Sequence, residues 1–226
     1  DELLTARIVA EGQSVILGTA TGMSIRFEVS DARPMSRGSG GVKGITLREG
    51  DRVVSMDVVE DELRQQALCI SANGYGKRTP LRTEDDDGET QSDRSFKIQK
   101  RGGIGVVAMQ TSERNGNMVR LRLVDLDEGL MVITNAGQVI RTRIAEIRET
   151  GRNTQGVIVI RLNGEEQVVD IEPVPAEEAD DIEPGESGVD PDDGEGEGVD
   201  TAAAVTASED GETDAPAHEV AGTESE

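Results

Sequence analysis

Leu130–Ile144, LMVITNAGQVIRTRI, opens with a short apolar run and turns at Asn135-Ala136-Gly137. It leaves on an alternating run in which Ile140 and Ile144 oppose Arg141 and Arg143. Alternation with a period of two marks a half-buried β-strand, and a glycine-bearing turn between two such runs marks a hairpin. The same pattern stands at Val15–Val29 (VILGTATGMSIRFEV) and at Ala67–Leu81 (ALCISANGYGKRTPL). In Ser24–Val29 the residues Ile25, Phe27 and Val29 share one face while Arg26 and Glu28 take the other. Four residues after each turn glycine (Gly22, Gly74, Gly137) comes an arginine: Arg26, Arg78, Arg141.

Working outward, each hairpin is followed by an Arg-x3-Gly-Val element: Arg37 to Gly41-Val42, Arg101 to Gly105-Val106, Arg152 to Gly156-Val157. A strand, a turn (Gly50-Asp51, Asn115-Gly116, Asn163-Gly164) and a last apolar strand such as RVVSMDVV or QVVDIEPV complete each copy. Gly22 to Gly41 and Gly137 to Gly156 both span 19 residues, whereas Gly74 to Gly105 spans 31. The excess falls in TEDDDGETQSDR (83–94), whose polar, acidic character suits a loop insertion. Without it the period is about 51 residues, in the range of propeller repeats. The expectation is an all-β chain of β-propeller blades, each of four short strands, stacked around an axis. The blades read as 15–59, 60–124 (with the insertion) and 125–174. Leu3–Val9 (LLTARIV) matches a last strand, so 1–14 reads as the end of a preceding blade.

Charge divides the chain in two. Its 226 residues carry 46 acidic and 23 basic side chains, a formal net charge of −23. All the bases lie at or before Arg161, while 19 of the acids lie in 175–226; the body therefore holds 27 acids against 23 bases. The tail is rich in Asp, Glu, Gly, Ala, Pro, Ser and Thr, and cannot bury enough apolar surface to offset its ordering entropy, so a disordered acidic tail is expected over 175–226.

Most catalytic chemistry is excluded by what is missing. The one histidine, His218, sits in the tail, and the one cysteine, Cys69, sits in the strand-like run ALCIS, where it reads as a small packed hydrophobe. No G-x-x-x-x-G-K-[ST] loop is present, and the acidic stretch near residue 85 lacks EF-hand ligand spacing. Neither a catalytic site nor a metal site is expected. Three aromatics (Phe27, Tyr75, Phe96) leave no platform for base stacking, which argues against single-strand or RNA binding. No apolar run approaches the ~20 residues of a membrane span. The chain begins at Asp1 in mid-pattern, as an excerpt from a longer cytosolic protein would.

The stretches SRGSGGVKGITLREGDRVVSM (36–56), NGYGKRTPL (73–81), TSERNGN (111–117) and ITNAGQVIRTRIAEIRETGRNTQGVIVIRL (133–162) resemble the last blades of the C-terminal domain of the DNA gyrase A protein. The likeness covers nearly all of 1–174 in order, and an acidic tail completes it. The related topoisomerase IV protein, with its shorter and degenerate set of blades, is the weaker match; a protein-binding propeller would be expected to show Trp-Asp or kelch signatures, and the chain has no Trp. The resemblance implies a β-pinwheel whose outer edge binds and bends duplex DNA, in support of ATP-dependent negative supercoiling. It implies as partners the rest of the gyrase A protein and the gyrase B protein, in an A2B2 assembly, with ATP and Mg held elsewhere in the holoenzyme and a cytoplasmic location. Gln99–Gly105 (QKRGGIG) looks like a degenerate form of the family's QRRGGKG box. The family's catalytic tyrosine belongs to another domain, and Tyr75, in the turn NGYG, is no candidate for strand cleavage.

The candidate DNA-contacting residues are the recurring strand arginines Arg26, Arg78 and Arg141 and the recurring loop arginines Arg37, Arg101 and Arg152. Beside them stand Lys43, Lys77, Lys97, Lys100, Arg143 and Arg148. Arginine supplies 19 of the 23 bases, and its fork suits phosphate geometry. For any one residue the alternative is an ion pair on a solvated face, with Glu28 or Glu146 as partner. A polyanion tethered beside these bases would also compete with DNA for them.

Overall fold

The computed structural model describes residues 3–82 and 94–175; most of the acidic insertion (83–93) and the tail from residue 176 lie outside the described residues. The strands, in chain order, are β1 (Ser14–Thr19), β2 (Met23–Glu28), β3 (Val53–Val59), β4 (Gln66–Ser71), β5 (Tyr75–Pro80), β6 (Val106–Val107), β7 (Met118–Val124), β8 (Gly129–Thr134), β9 (Val139–Arg143), β10 (Val157–Ile158) and β11 (Val168–Val174). Single 3-10 turns at Val29–Asp31 and Ile144–Glu146 are the only helical segments among the described residues. The all-β reading holds: three antiparallel sheets are built on the three hairpins β1–β2, β4–β5 and β8–β9.

Sheet and repeat do not share boundaries. The sheet orders are β3-β1-β2-β6, β7-β4-β5-β10 and β11-β8-β9. The short Gly-Val strand of each later repeat thus joins the sheet of the repeat before it. Met23 and Ser24 pair with Val107 and Val106; Tyr75 and Gly76 pair with Ile158 and Val157. The ranges 15–59, 60–124 and 125–174 are repeats of sequence, and the sheets run across them. This exchange covers the outer edge of each of these two hairpins, which would otherwise offer unpaired backbone groups to other chains. It also explains the glycine of the Arg-x3-Gly-Val element. A Cβ on Gly105 would lie 2.1 Å from the Ser24 carbonyl oxygen, and one on Gly156 would lie 2.5 Å from that of Gly76; both residues have positive φ. Only glycine lets the donated strand seat.

Burial follows the stacking of the sheets. All six residues of β4 are buried, Ala67 and Cys69 toward the first sheet and Leu68 and Ile70 toward the third, because this sheet is covered on both faces. Burial pushes the Cys69 thiol up to about 11, so it is a packed hydrophobe and not a nucleophile. In β8 the alternation is one-sided. Leu130 and Val132 enter the core, while Met131 and Ile133 on the opposite face stay half-exposed.

The last strands β3, β7 and β11 meet along the inner side and are joined by ion pairs. Arg122 reaches Asp57 (3.6 Å) on one side and Glu172 (3.1 Å) on the other, and Arg120 pairs with Asp170 at 2.7 Å. Arg7 lies 3.6 Å from Asp57, where a preceding last strand would place it. Leu3–Val9 itself forms no strand, because no hairpin stands beside it for it to pair with among the described residues.

Candidate nucleic-acid interface

Four of the twelve candidate bases belong to the interior, a correction to the sequence-based expectation. Arg26 (5% exposed), Arg78 (8%), Arg152 (7%) and Lys77 (0%) all bond to the protein itself. Arg26 donates from Nε to Ser14 Oγ, from Nη1 to the Phe96 carbonyl and from Nη2 to Glu62, at 2.9, 3.2 and 2.8 Å. Arg78 donates to the Ile147 carbonyl (2.6 Å), Gln66 Oε1 (2.6 Å) and the Ala145 carbonyl (3.3 Å). Its partial desolvation lowers its pKa, against the opposing pull of Glu149. Both arginines therefore clamp a loop of the following repeat. Lys77 does the same on the strand position beside Arg78, donating to the carbonyls of Gly151 and Arg152 and to Thr154 Oγ1. Arg152 donates to the Val107 carbonyl and lies 5.8 Å from the Phe96 ring centroid.

Two more are structural in part. Arg101, half-buried, donates to the carbonyls of Asp31 (3.0 Å) and Lys43, and so ties the second repeat's loop to the first repeat's. Arg141 is half-buried on β9, and its Nε and Nη2 find no hydrogen-bond partner among the described residues. Lys97 is half-buried beside Arg26, Glu62 and Phe96. The exposed candidates are Arg37, Lys43, Lys100, Arg143 and Arg148.

Four of these exposed bases, Arg37, Lys43, Lys100 and Arg148, lie on neighbouring outer segments. The segment around Ile98 bridges Arg26, and the segment around Glu149 bridges Arg78, on the outer side of β2 and β5. Lys97, Lys100 and Arg148 therefore sit on the outermost backbone of the first and second sheets. The loop carrying Arg37 and Lys43 adjoins them, since Thr46 N donates to the Gly103 carbonyl and Gly102 N to the Gly44 carbonyl. Arg33, also exposed, was absent from the sequence-based set. A signal for it was available. Arg33, Lys97 and Arg148 each stand four residues before the loop arginine of their repeat. This position recurs as a base in all three repeats, exposed at Arg33 and Arg148 and half-buried at Lys97, whereas the more conspicuous strand arginines Arg26 and Arg78 face inward.

Among the described residues no group of three or more His, Cys, Asp or Glu is placed to hold a metal ion. Tyr75 accepts a hydrogen bond from Arg114 Nε at 3.0 Å, under a guanidinium 5.2 Å from its ring centroid. No helix among the described residues is long and apolar enough to cross a membrane. Fold and rim together define a propeller-type repeat protein whose sheets exchange their outer strands and carry a basic outer edge.

Known proteins give that class a family. The family described as DNA gyrase C-terminal domain, beta-propeller, matches residues 13–60, 65–83, 94–125 and 130–175, and passes over most of the acidic insertion. The DNA gyrase A protein of Staphylococcus aureus (strain MRSA252) is 41% identical over 169 residues, which is 75% of this chain and 18% of that protein. A solved structure of a DNA gyrase A C-terminal domain is similar with a TM-score of 0.63 at 25% identity, covering 73% of this chain and 52% of the other. A C-terminal domain of DNA topoisomerase IV shares the fold (TM-score 0.64, 20% identity, 73% of this chain and 47% of the other). The chain belongs to the DNA gyrase A C-terminal domain family. It spans about a fifth of the length of the curated relatives it matches.

Proposed function

We propose that the outer rim binds the backbone of duplex DNA and bends it across successive sheets, as the wrapping element of a DNA gyrase. One observation carries this reading: a base recurs at the same loop position of every repeat, at Arg33, Lys97 and Arg148, and at Lys97 and Arg148 that loop runs along the outer strand of a sheet. Recurrence from sheet to sheet sets positive charge at regular intervals along a curved path. Phosphates are also regularly spaced and carry no sequence information, so contacts of this kind fix the path of the duplex without reading bases. Bending a short duplex sharply costs about 1–6 kcal/mol by smooth-rod estimates, which several distributed contacts offset together. On this reading the chain supplies DNA binding to a holoenzyme formed with the rest of the gyrase A protein and with the gyrase B protein. ATP-dependent negative supercoiling belongs to that assembly.

Fluorescence anisotropy of a labelled duplex, titrated at several salt concentrations, tests the proposal. Affinity is expected to fall steeply with salt, with little sequence preference. Each of Arg33→Ala and Arg148→Ala is expected to reduce the log–log slope by ~0.9 for one lost phosphate contact. End-to-end energy transfer across the duplex is expected to rise on binding. Affinity that stays flat from low to moderate salt, or a slope that neither variant changes, overturns it.

A further inference from the structure

The loop Gln99–Gly105 is held more firmly than its three glycines suggest. Arg101 donates to the carbonyls of Asp31 and Lys43, and Gly102 N donates to the Gly44 carbonyl. Thr46 donates from N to the Gly103 carbonyl and from Oγ1 to the Gly102 carbonyl. At the ends of the loop, Gln99 N donates to the Arg26 carbonyl and Gly105 is pressed against Ser24. Within this fixed loop stands Ile104, 65% exposed, between two residues that carry no side chain, Gly103 and Gly105. It is the most exposed large apolar residue of the outer segments, and it belongs to none of the three core clusters of the described residues.

The fold does not require an apolar residue there. Aligned on the Arg-x3-Gly-Val element, Gly40 and Gln155 hold the same position in the first and third repeats. Nor would a repeat further up the chain cover it. The third repeat has two repeats before it, and its equivalent loop rests on the second of them, through Arg152 to Val107, Gln110 to Thr154 and Asn115 to Gln155, while Gln155 stays half-exposed. By the same spacing, Ile104 is covered by residues of the first repeat or by none. Its surroundings are basic: residues 31–46 and 97–105 together hold six bases and a single acid, Asp31.

We propose that Ile104 enters the major groove of the duplex held on the rim and packs on a thymine methyl group, a specificity-determining contact on a surface that otherwise meets phosphates. This rests on the reading of the rim as a DNA-binding surface. Six bases against one acid select a polyanion as the occupant. Among the base edges of duplex DNA the thymine C5-methyl is the one apolar group, and it lies in the major groove. A wedge between base pairs is excluded: driven in through the minor groove it kinks the duplex toward the major groove, away from the inserting protein and against the direction of the wrap. Because the loop is already braced, little conformational freedom is lost on contact, so one methyl-sized contact is felt in the affinity. The consequence is a preferred phase of the wrap, with thymine favoured where Ile104 meets the duplex.

The test is fluorescence anisotropy of the 226-residue chain on two duplexes. One is an alternating A·T duplex, in which every base pair carries a thymine methyl group. The other has deoxyuridine in place of every thymidine, which removes the methyl and keeps the pairing. The wild-type chain is expected to bind the thymine duplex about fourfold tighter, the contribution of one buried methyl group. Ile104→Ser, at an exposed site and with its fold checked by circular dichroism, is expected to bind the two duplexes equally. Ile104→Leu is expected to keep most of the preference, and Lys100→Ala to weaken binding to both duplexes by the same factor. A preference that Ile104→Ser retains comes from the stiffness of the DNA and overturns the proposal. So does an equal loss on both duplexes, which would place Ile104 against deoxyribose, or no change on either, which would assign Ile104 to a protein partner. Salt-dependent binding without a thymine preference refutes the Ile104 contact alone, whereas a chain that binds neither duplex refutes the DNA-binding rim itself.

Discussion

Replacing Arg78 by Ala separates an interior arginine from a DNA-contacting one. Its guanidinium makes two short bonds, to the Ile147 carbonyl and Gln66 Oε1 at 2.6 Å, and one longer bond to the Ala145 carbonyl at 3.3 Å. Hydrogen bonds to a charged group contribute about 1.5–3 kcal/mol each when the partner is left buried. Ile147 is buried, so its carbonyl pays the full desolvation cost, whereas Ala145 is exposed and water replaces the third bond. The loss is expected to be about 3–5 kcal/mol, set by the two short bonds. Both carbonyl partners lie in the third repeat, so the loss falls on one junction, and the third repeat should unfold before the others. Urea denaturation followed by far-UV circular dichroism measures this, as a lower midpoint and a transition that separates into two. Arg78→Lys is expected to recover little, since one ammonium cannot span three divergent acceptors. Arg148→Ala, on the rim, should change stability by no more than about 0.5 kcal/mol. If Arg78→Ala costs under about 1 kcal/mol and weakens DNA binding as much as Arg148→Ala does, the assignment of Arg78 to the interior is wrong.

Gly156→Ala should destabilise by about 2–4 kcal/mol, through a strained positive φ and a forced shift of the Gly76 carbonyl, whereas Gly41→Ala should cost about 1 kcal/mol of backbone strain alone; comparable losses in thermal melts would contradict the seating of β10. Hydrogen bonds from Arg82 and Arg26 hold the Glu62 carboxyl below the ordinary value of 4.5, outweighing its partial burial. Its contribution to stability is therefore complete above that value and lost as pH falls through the lower folded one, so Glu62→Gln should flatten the acid side of a melting-temperature profile; an unchanged acid slope would refute the link. The Cys69 thiol, buried and pushed up to about 11, should resist iodoacetamide near pH 8 until the chain is unfolded; prompt alkylation of the native protein would show that β4 is not closed on both faces.

The sequence by itself determined the local architecture. Period-two alternation at Ser24–Val29 and Val139–Ile144, and glycine at the hairpin turns, depend only on how neighbouring residues share the two faces of a strand, so the hairpins were legible without any knowledge of their partners. The repeat and its period were legible for the same reason, as was the near balance of charge in the body once the tail was set apart. Tertiary structure alone decided which sheet each strand joins and which way each base faces. Arg26 and Arg148 are both basic residues beside apolar strands, yet one clamps the next repeat and the other faces solvent. The difference lies in a backbone segment some seventy residues further along the chain, Phe96 for Arg26, and not in the residues on either side. A pattern within one strand specifies an inward and an outward face. It does not specify whether a neighbouring repeat covers the edge, because ladder pairing between β2 and β6 is a contact made only when the sheets stack.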